Sequence, residues 1–410
     1  MEQNKRFATK IIRASAYPDS FGAINIPVYR NAAFEFEDSE SMAAAFQYRY
    51  DRHTYSRISN PTVSNFEAKL KAASGAETVM SFASGMAAIT GTLLTIARAG
   101  KNIVSSPHLF GNTLSLLRFT LQEFGIETRF VNTDHLDEIA AAIDDNTCAF
   151  FAEIITNPHL EIANLPEISK ILKEKNVPMV IDTTVVPWCG YDAEMCGIDI
   201  EVVSTTKYIS GGATGIGGAV VDYGRFDWKR NPKLSAVPKP KGMSRFMFKL
   251  RSEIARNLGA CITPDTSWMH SLGLETLQIR YEKMSANAHT LAQFLCNCEQ
   301  ATKVNYPNLD NAPYKKISDL IFNGNPGAML TFHLPDKVAC FRFMDRLKII
   351  RRATNLFDNK TLVIHPESTI YGTFGKEMKE LAGVSPTLIR LSAGLEDAND
   401  LIDDVKQALE

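Results

Sequence analysis

The chain has no apolar run approaching the roughly 20 residues that span a bilayer. Its longest apolar stretch, Ala87 to Ala97, reads as a buried helix. The polar start Met1-Glu2-Gln3-Asn4-Lys5-Arg6 is not followed by an apolar leader, so neither a membrane anchor nor a secretory signal is expected. An excess of one charge is also missing. Lys+Arg number 44 against 46 Asp+Glu, a net charge of −2, which leaves no electrostatic footprint for nucleic acid or an acidic membrane surface. Cysteine is sparse: the seven (Cys148, Cys189, Cys196, Cys261, Cys296, Cys298, Cys340) are odd in number and scattered, which excludes a disulfide framework. Cys296-Asn297-Cys298 lacks the second pair that a zinc site needs, so no metal is expected. A reducing cytoplasm fits this usage. Internal repeats and low-complexity tracts are absent, which excludes solenoids and propellers.

What is present is ordinary soluble material, 45% hydrophobic and 22% charged, enough for a sizeable core in two or three domains. Residues 1–60 read as an irregular arm rich in turn formers, such as Tyr17-Pro18-Asp19-Ser20. From Ser64 to about 220, short apolar runs such as Thr78–Phe82, Asn102–Ser105 and Ala149–Ile154 alternate with amphipathic stretches of helical length. That spacing implies crossover helices and a mostly parallel sheet. The proline-broken basic segment 229–241 interrupts the rhythm, as a solvated loop or as a flap over an entrance. A long helix is expected from Ser271 to Glu299, and residues 325–410 read as a smaller α+β unit. The expected division is an arm over 1–60, a large α/β domain over 61–255 and an α+β domain over 256–410.

The most informative stretch is Ser204-Thr205-Thr206-Lys207, which follows the apolar run Ile200–Val203 and precedes the glycine-rich Gly211–Gly218. Upstream, the apolar run Val177–Ile181 ends on Asp182. A strand-end lysine can form a Schiff base in a crowded pocket, and an acid at a nearby strand end reaches the same place. This is the equipment for pyridoxal 5'-phosphate (PLP): lysine for the aldehyde, aspartate for the ring nitrogen, hydroxyls for the phosphate. Phe82-Ala83-Ser84-Gly85-Met86 reads as a strand, a small-residue turn and a helix start, where free N–H groups and the helix dipole favour phosphate. Tyr55 and Arg57, two residues apart on an extended arm, point the same way and can grip a phosphate with charge-assisted hydrogen bonds. His108 and His159 are expected to be structural donors.

Five ordered motifs then make a resemblance specific: Tyr55-Ser56-Arg57-Ile58-Ser59-Asn60-Pro61-Thr62, Ala83-Ser84-Gly85-Met86, Thr156-Asn157-Pro158, Asp182-Thr183-Thr184 and Ser204-Thr205-Thr206-Lys207-Tyr208. They resemble the Cys/Met-metabolism PLP enzymes, the cystathionine γ-synthase family, across nearly the whole chain. The resemblance implies the aspartate aminotransferase-like PLP transferase fold (fold type I), with a mostly parallel central sheet and a smaller C-terminal α+β domain. It implies Lys207 as Schiff-base lysine and proton shuttle, and Asp182 as partner of the pyridine nitrogen. Ser84, Gly85, Met86, Thr184, Ser204 and Thr206 would surround the cofactor, most of them at its phosphate. Asn157 would sit near its phenolic oxygen, and Tyr55 and Arg57 would reach the phosphate of a neighbouring subunit. An obligate dimer or a dimer of dimers follows. Arg390, in Leu388-Ile389-Arg390-Leu391-Ser392-Ala393-Gly394, matches the arginine for the substrate α-carboxylate, and Thr361 would place a hydroxyl beside it.

Local patterns at 211–228, 257–261 and 362–369 resemble the O-acetylhomoserine sulfhydrylases, which exchange the γ-acetoxy group for sulfide to give homocysteine. One departure matters. The family's ring-stacking tyrosine falls where this chain reads Leu109-Phe110-Gly111-Asn112-Thr113. Phe110 keeps an aromatic face but has no hydroxyl to protonate a sulfur leaving group, whereas a carboxylate leaves with little help. This favours γ-replacement on an activated homoserine ester over a methionine or cystathionine γ-lyase. Cystathionine γ-synthase and O-succinylhomoserine sulfhydrylase stay open as alternatives, since segment 229–241 can supply cations for a succinyl group.

Overall fold

A computed structural model describes residues 5–410. The central sheet contains β1 (Thr78–Phe82), β2 (Asn102–Ser105), β3 (Glu127–Phe130), β4 (Thr147–Glu153), β5 (Met179–Asp182), β6 (Ile200–Val203) and β7 (Gly218–Asp222), in the order β1-β7-β6-β5-β4-β2-β3. Strands β2 to β6 pair in parallel, and only β7 runs against its neighbours β1 and β6. Strand alternation sorts the apolar residues into two cores. Phe150, Ala152, Met179 and Ile181 pack on one face, while Ala149, Phe151, Val180 and Val202 pack on the other. Burial on both faces explains why these strands read as continuous apolar runs rather than alternating ones. Because β4, β5 and β6 are parallel, their carboxyl ends share one edge, where α/β sheets bind ligands.

A second sheet holds β8 (Thr302–Asn305), β9 (Met329–His333), β10 (Arg351–Arg352), β11 (Leu362–Ile364) and β12 (Leu388–Ser392), in the order β10-β11-β12-β9-β8. It is antiparallel except for β10 with β11. Among the described residues, no helix is long and apolar enough to cross a membrane.

Several expectations need correction. The arm is more helical than its turn formers suggest. Phe7–Arg13 is a helix that buries Ile11, and Ser39–Phe46 is a second, capped by Asp38, which accepts the Ser41 N–H at 2.7 Å. The long helix expected from Ser271 to Glu299 is two, Pro264–Glu275 and Leu277–Cys296. Pro264 at the first turn with a Thr263 cap starts the chain's helical run earlier. The break at Thr276 is held by Arg280, which donates to the Thr276 hydroxyl at 3.1 Å and to the Gly273 carbonyl at 2.6 Å. The second sheet begins at Thr302, ahead of 325. A helical segment runs without interruption over 245–258, across the division expected at 255/256.

Segment 229–241 is neither a flap over this chain's own cavity nor a source of cations for it. Trp228 is buried and stacked on Phe246 at 5.0 Å. Lys233 donates to the carbonyls of Leu94 and of Ala97, the latter at 2.7 Å. The segment therefore closes the C-terminal end of the helix Gly85–Ile96, about 18 Å from the N-terminal end that faces the cavity.

Candidate active site

A cavity of about 660 Å³ opens at the carboxyl edge of the central sheet. Three strand ends supply its polar floor. β4 ends on Glu153, directly across the ladder from Asp182 at the end of β5. Beyond β6 the chain turns over Thr205–Lys207, placing Ser204 and Thr206 at the cavity while Thr205 faces away to His270 at 3.0 Å. The Thr206 hydroxyl is engaged with the Gly217 backbone, and Thr184 accepts the Ser204 N–H at 2.8 Å while giving its own N–H to Asp182 at 2.9 Å. These bonds tie the ends of β5 and β6 together behind Lys207.

Lys207 lies in the same cavity. Burial, reinforced by the cationic Arg390, lowers its amine to about 8, with Asp182 pulling the other way. Its Nζ donates to Asn355 Oδ1 at 2.8 Å. Burial raises Asp182 above the usual carboxylate range, and no ion-pair partner within 4.0 Å is found for it among the described residues. Glu153 is pushed up to about 8 by burial and by Asp182 beside it. Two acids so close and so dry ionise together only at high cost.

The opposite wall is the start of the helix Gly85–Ile96. Ser84 caps it, accepting the Ala87 N–H at 3.1 Å, which leaves the first-turn N–H groups of Gly85 and Met86 without intrahelical acceptors. A side chain at Gly85 would put its Cβ 2.8 Å from that of Ser204, so glycine alone allows this approach. Phe110 borders the cavity, its N–H donating to Glu153 at 2.6 Å, and Asn157 donates its N–H to the other Glu153 oxygen at 2.9 Å.

Arg390 on β12 is almost fully buried, and among the described residues no carboxylate pairs with it within 4.0 Å. It donates to Asn157 Oδ1 at 2.9 Å and, at 3.3 and 3.4 Å, to the carbonyls of Asn355 and Thr354, while its Nε has no partner. Burial lowers its pKa to about 10. A dry guanidinium with a free donor suits an incoming carboxylate.

The structure gathers ten of the expected residues around one cavity: Ser84, Gly85, Met86, Phe110, Asn157, Asp182, Thr184, Ser204, Thr206 and Lys207. Arg390 joins them through Asn157. Thr361 does not. Its hydroxyl donates to Glu396 at 2.7 Å and accepts the Gly394 N–H at 2.9 Å, so it braces a neighbouring turn. Tyr55 and Arg57 lie outside this cavity, with the guanidinium 5.5 Å over the phenol ring and bonded to the Arg256 carbonyl at 2.7 Å. His108 binds Glu161 at 2.7 Å, and His159 binds the Ala382 carbonyl at 2.7 Å. Glu153 and Asn355 are additions. An acid closing the apolar run Ala149–Ala152 was a usable signal for Glu153. Nothing local marks Asn355.

The donor set fits PLP. Three corners of the cavity want different things: a buried amine near neutrality, an acid lacking a counter-ion, and N–H groups at a helix start. An aldehyde, a basic ring nitrogen and a phosphate on one flat molecule answer all three, and with this sheet they mark a pyridoxal-phosphate-dependent enzyme. The chain belongs to the Cys/Met metabolism PLP-dependent enzyme family, whose sequence model matches residues 8–410. It is 36% identical to O-acetyl-L-homoserine sulfhydrylase 1 of Thermus thermophilus, over 98% of this chain and 100% of that protein. It is also 33% identical to the L-methionine gamma-lyase of Pseudomonas putida, over 98% of this chain and 97% of that one. A Campylobacter jejuni structure assigned as an O-acetylhomoserine (thiol)-lyase, holding N'-pyridoxyl-lysine-5'-monophosphate, superimposes with a TM-score of 0.94 at 34% identity, covering 99% of this chain and all of that chain.

Proposed function

We propose that the chain catalyses γ-replacement on an O-acylated homoserine, converting O-acetylhomoserine and hydrosulfide to homocysteine and acetate. The carbon–oxygen bond at Cγ breaks and a carbon–sulfur bond forms there, with acetate carrying away the electron pair. Similarity alone does not choose between this and a γ-lyase, since a relative of each kind lies within a few per cent identity. The observation that carries the choice is the aromatic wall. Phe110 brings no phenol, and Tyr371, which packs beside Gly111, is buried and donates to the Leu109 carbonyl at 2.7 Å. Among the described residues, no phenol of the same copy lines this cavity to protonate a departing thiolate, and in this reading the neighbouring copy's Tyr55 is engaged at the phosphate. The acetate of an ester needs none.

Bound PLP supplies the electron sink that makes Cα and Cβ protons acidic. The chain's own groups do the rest. Lys207, neutral in part near pH 8, takes the Cα proton and then a Cβ proton, and returns protons after sulfur has added. Asp182 would face the ring nitrogen and keep it protonated. Gly85, Met86, Ser204 and Thr206 would hold the phosphate, and Arg390 with Asn157 would orient the α-carboxylate. Met86, Ile89, Val185, Ile216, Leu356 and Ile370 make the remaining walls apolar. With Lys207 and Arg390 both committed, the cavity lining among the described residues holds no further cation for a succinyl carboxylate, which supports the acetyl ester.

Tyr55 and Arg57 complete the phosphate site of a neighbouring copy in this reading, in a cytoplasmic dimer of dimers. Phe21 and Ile24, which are almost fully exposed on the same arm, support such a contact, and seven free cysteines support a reducing compartment. The test is a matrix of acetyl, succinyl and phosphoryl homoserine against sulfide and cysteine, read as homocysteine or cystathionine formed. Fast release of an α-keto acid from methionine without any ester would overturn the proposal.

A further inference from the structure

We infer that Phe357 is a positioning residue for Lys207: its ring and backbone lock the loop 354–358 so that Asn355 meets the lysine amine. Phe357 is 1% exposed and has φ +56°, a left-handed conformation that a bulky side chain avoids unless its surroundings impose it. Two contacts impose it. The ring stacks on Tyr208, with centroids 4.2 Å apart and planes 12° from parallel, and the N–H donates to the Ser392 hydroxyl at 2.7 Å. Tyr208 directly follows Lys207 and is itself fixed, its hydroxyl accepting the Ala328 N–H at 2.9 Å.

The loop that Phe357 anchors has three duties at the cavity. Asn355 Oδ1 accepts from Lys207 Nζ at 2.8 Å. The carbonyls of Thr354 and Asn355 accept from Arg390. Leu356 forms part of the wall. Asn355 and Phe357 thus grip the consecutive residues Lys207 and Tyr208, one through the amine and one through the ring. A ring needed only to fill space would sit as well in an ordinary extended turn. Here the left-handed turn lets residues two apart in the loop reach adjacent residues of the lysine segment. The free amine, the form present before cofactor capture and again whenever a substrate amine has displaced it, is then held in one direction instead of sweeping the cavity. The other charged or titratable groups around that amine are Asp182, Glu153 and Arg390, on three separate strands.

The test uses the cofactor-free protein and measures the rate of pyridoxal phosphate capture against pH, by absorbance. It needs no amino-acid substrate, so its outcome is independent of the sulfhydrylase reading. Phe357→Leu keeps apolar volume without a stacking ring, Asn355→Ala removes the acceptor, and Phe357→Tyr keeps the ring. The Leu and Ala variants are each expected to lower the plateau capture rate about tenfold. Both should also move the midpoint to lower pH, because a carbonyl acceptor stabilises the charged amine. The double variant should be no slower than either single one, the signature of one shared interaction. Phe357→Tyr should restore the wild-type profile. Thermal unfolding of each variant separates these effects from loss of fold. Multiplying effects in the double variant, or an unshifted profile for a folded Phe357→Leu, would overturn the inference.

Discussion

Restoring the missing hydroxyl with Phe110→Tyr isolates the feature on which the choice of reaction depends. The position tolerates little movement. The Phe110 N–H is held by Glu153 at 2.6 Å, and a Cβ on the next residue, Gly111, would stand 2.5 Å from the Ile370 carbonyl oxygen. The added oxygen therefore enters a fixed ring at the cavity wall, where about 660 Å³ leaves room for it. A thiol leaving group has a pKa of about 8.5 or more and a carboxylic acid one near 4, so the intrinsic difference is about 6 kcal/mol. A positioned acid acting with a Brønsted coefficient near one half recovers about 2–3 kcal/mol of that, or roughly a hundredfold in rate, at the low end of measured general-acid effects. The tyrosine variant should raise kcat/KM for elimination from cystathionine or methionine by about that factor. Turnover of O-acetylhomoserine with sulfide should change by less than about threefold, since acetate leaves unaided. Coupled assay of α-keto acid and of homocysteine on the same preparation gives both numbers. Equal changes in the two activities, or none in the lyase reaction, would refute the assignment of the phenol as the distinguishing acid.

Arg390→Met should lower kcat/KM for the amino-acid substrate by about 10²-fold or more through loss of a desolvated charge pair. The thermal midpoint should not fall, because among the described residues no carboxylate pairs with the arginine and an apolar side chain suits that site at least as well. Lys207, lowered to about 8 from 10.5, predicts how the cofactor-free protein responds to pH. Capture of pyridoxal phosphate should speed up about tenfold per pH unit up to about 8 and then level off. The stability sign follows from the same shift. Below about pH 8 both folded and unfolded chains carry the proton and the burial penalty is fully felt. Between about 8 and 10.5 only the unfolded chain keeps it, so stability should rise through that window, by at most about 3 kcal/mol in denaturant titrations. Thr361→Val should cost about 1–3 kcal/mol of stability by stranding Glu396 and the Gly394 N–H, with KM for the substrate unchanged.

What the amino-acid order reveals follows from the range of the interaction. Lys207, Asp182 and Gly85 sit where one element hands over to another, and each hand-over is written within a few residues: an apolar run, then a hydroxyl, a glycine or a charge. The parallel order of β4, β5 and β6 converts those local signals into one cavity without further instruction. Thr361 shows the limit. A hydroxyl beside a strand has two directions to face, and Glu396, thirty-five residues away, takes it. Segment 229–241 shows the same limit for charge. Its lysines read as ligands for a substrate until Lys233 is seen closing a helix more than 130 residues upstream. Asn355 and Phe357 are harder still, because their meaning lies in a contact 148 residues distant and in a backbone angle that phenylalanine does not advertise. Residues that carry the chemistry therefore stand at the ends of elements and can be read. Those that aim it reach in from the second sheet, and only packing discloses them.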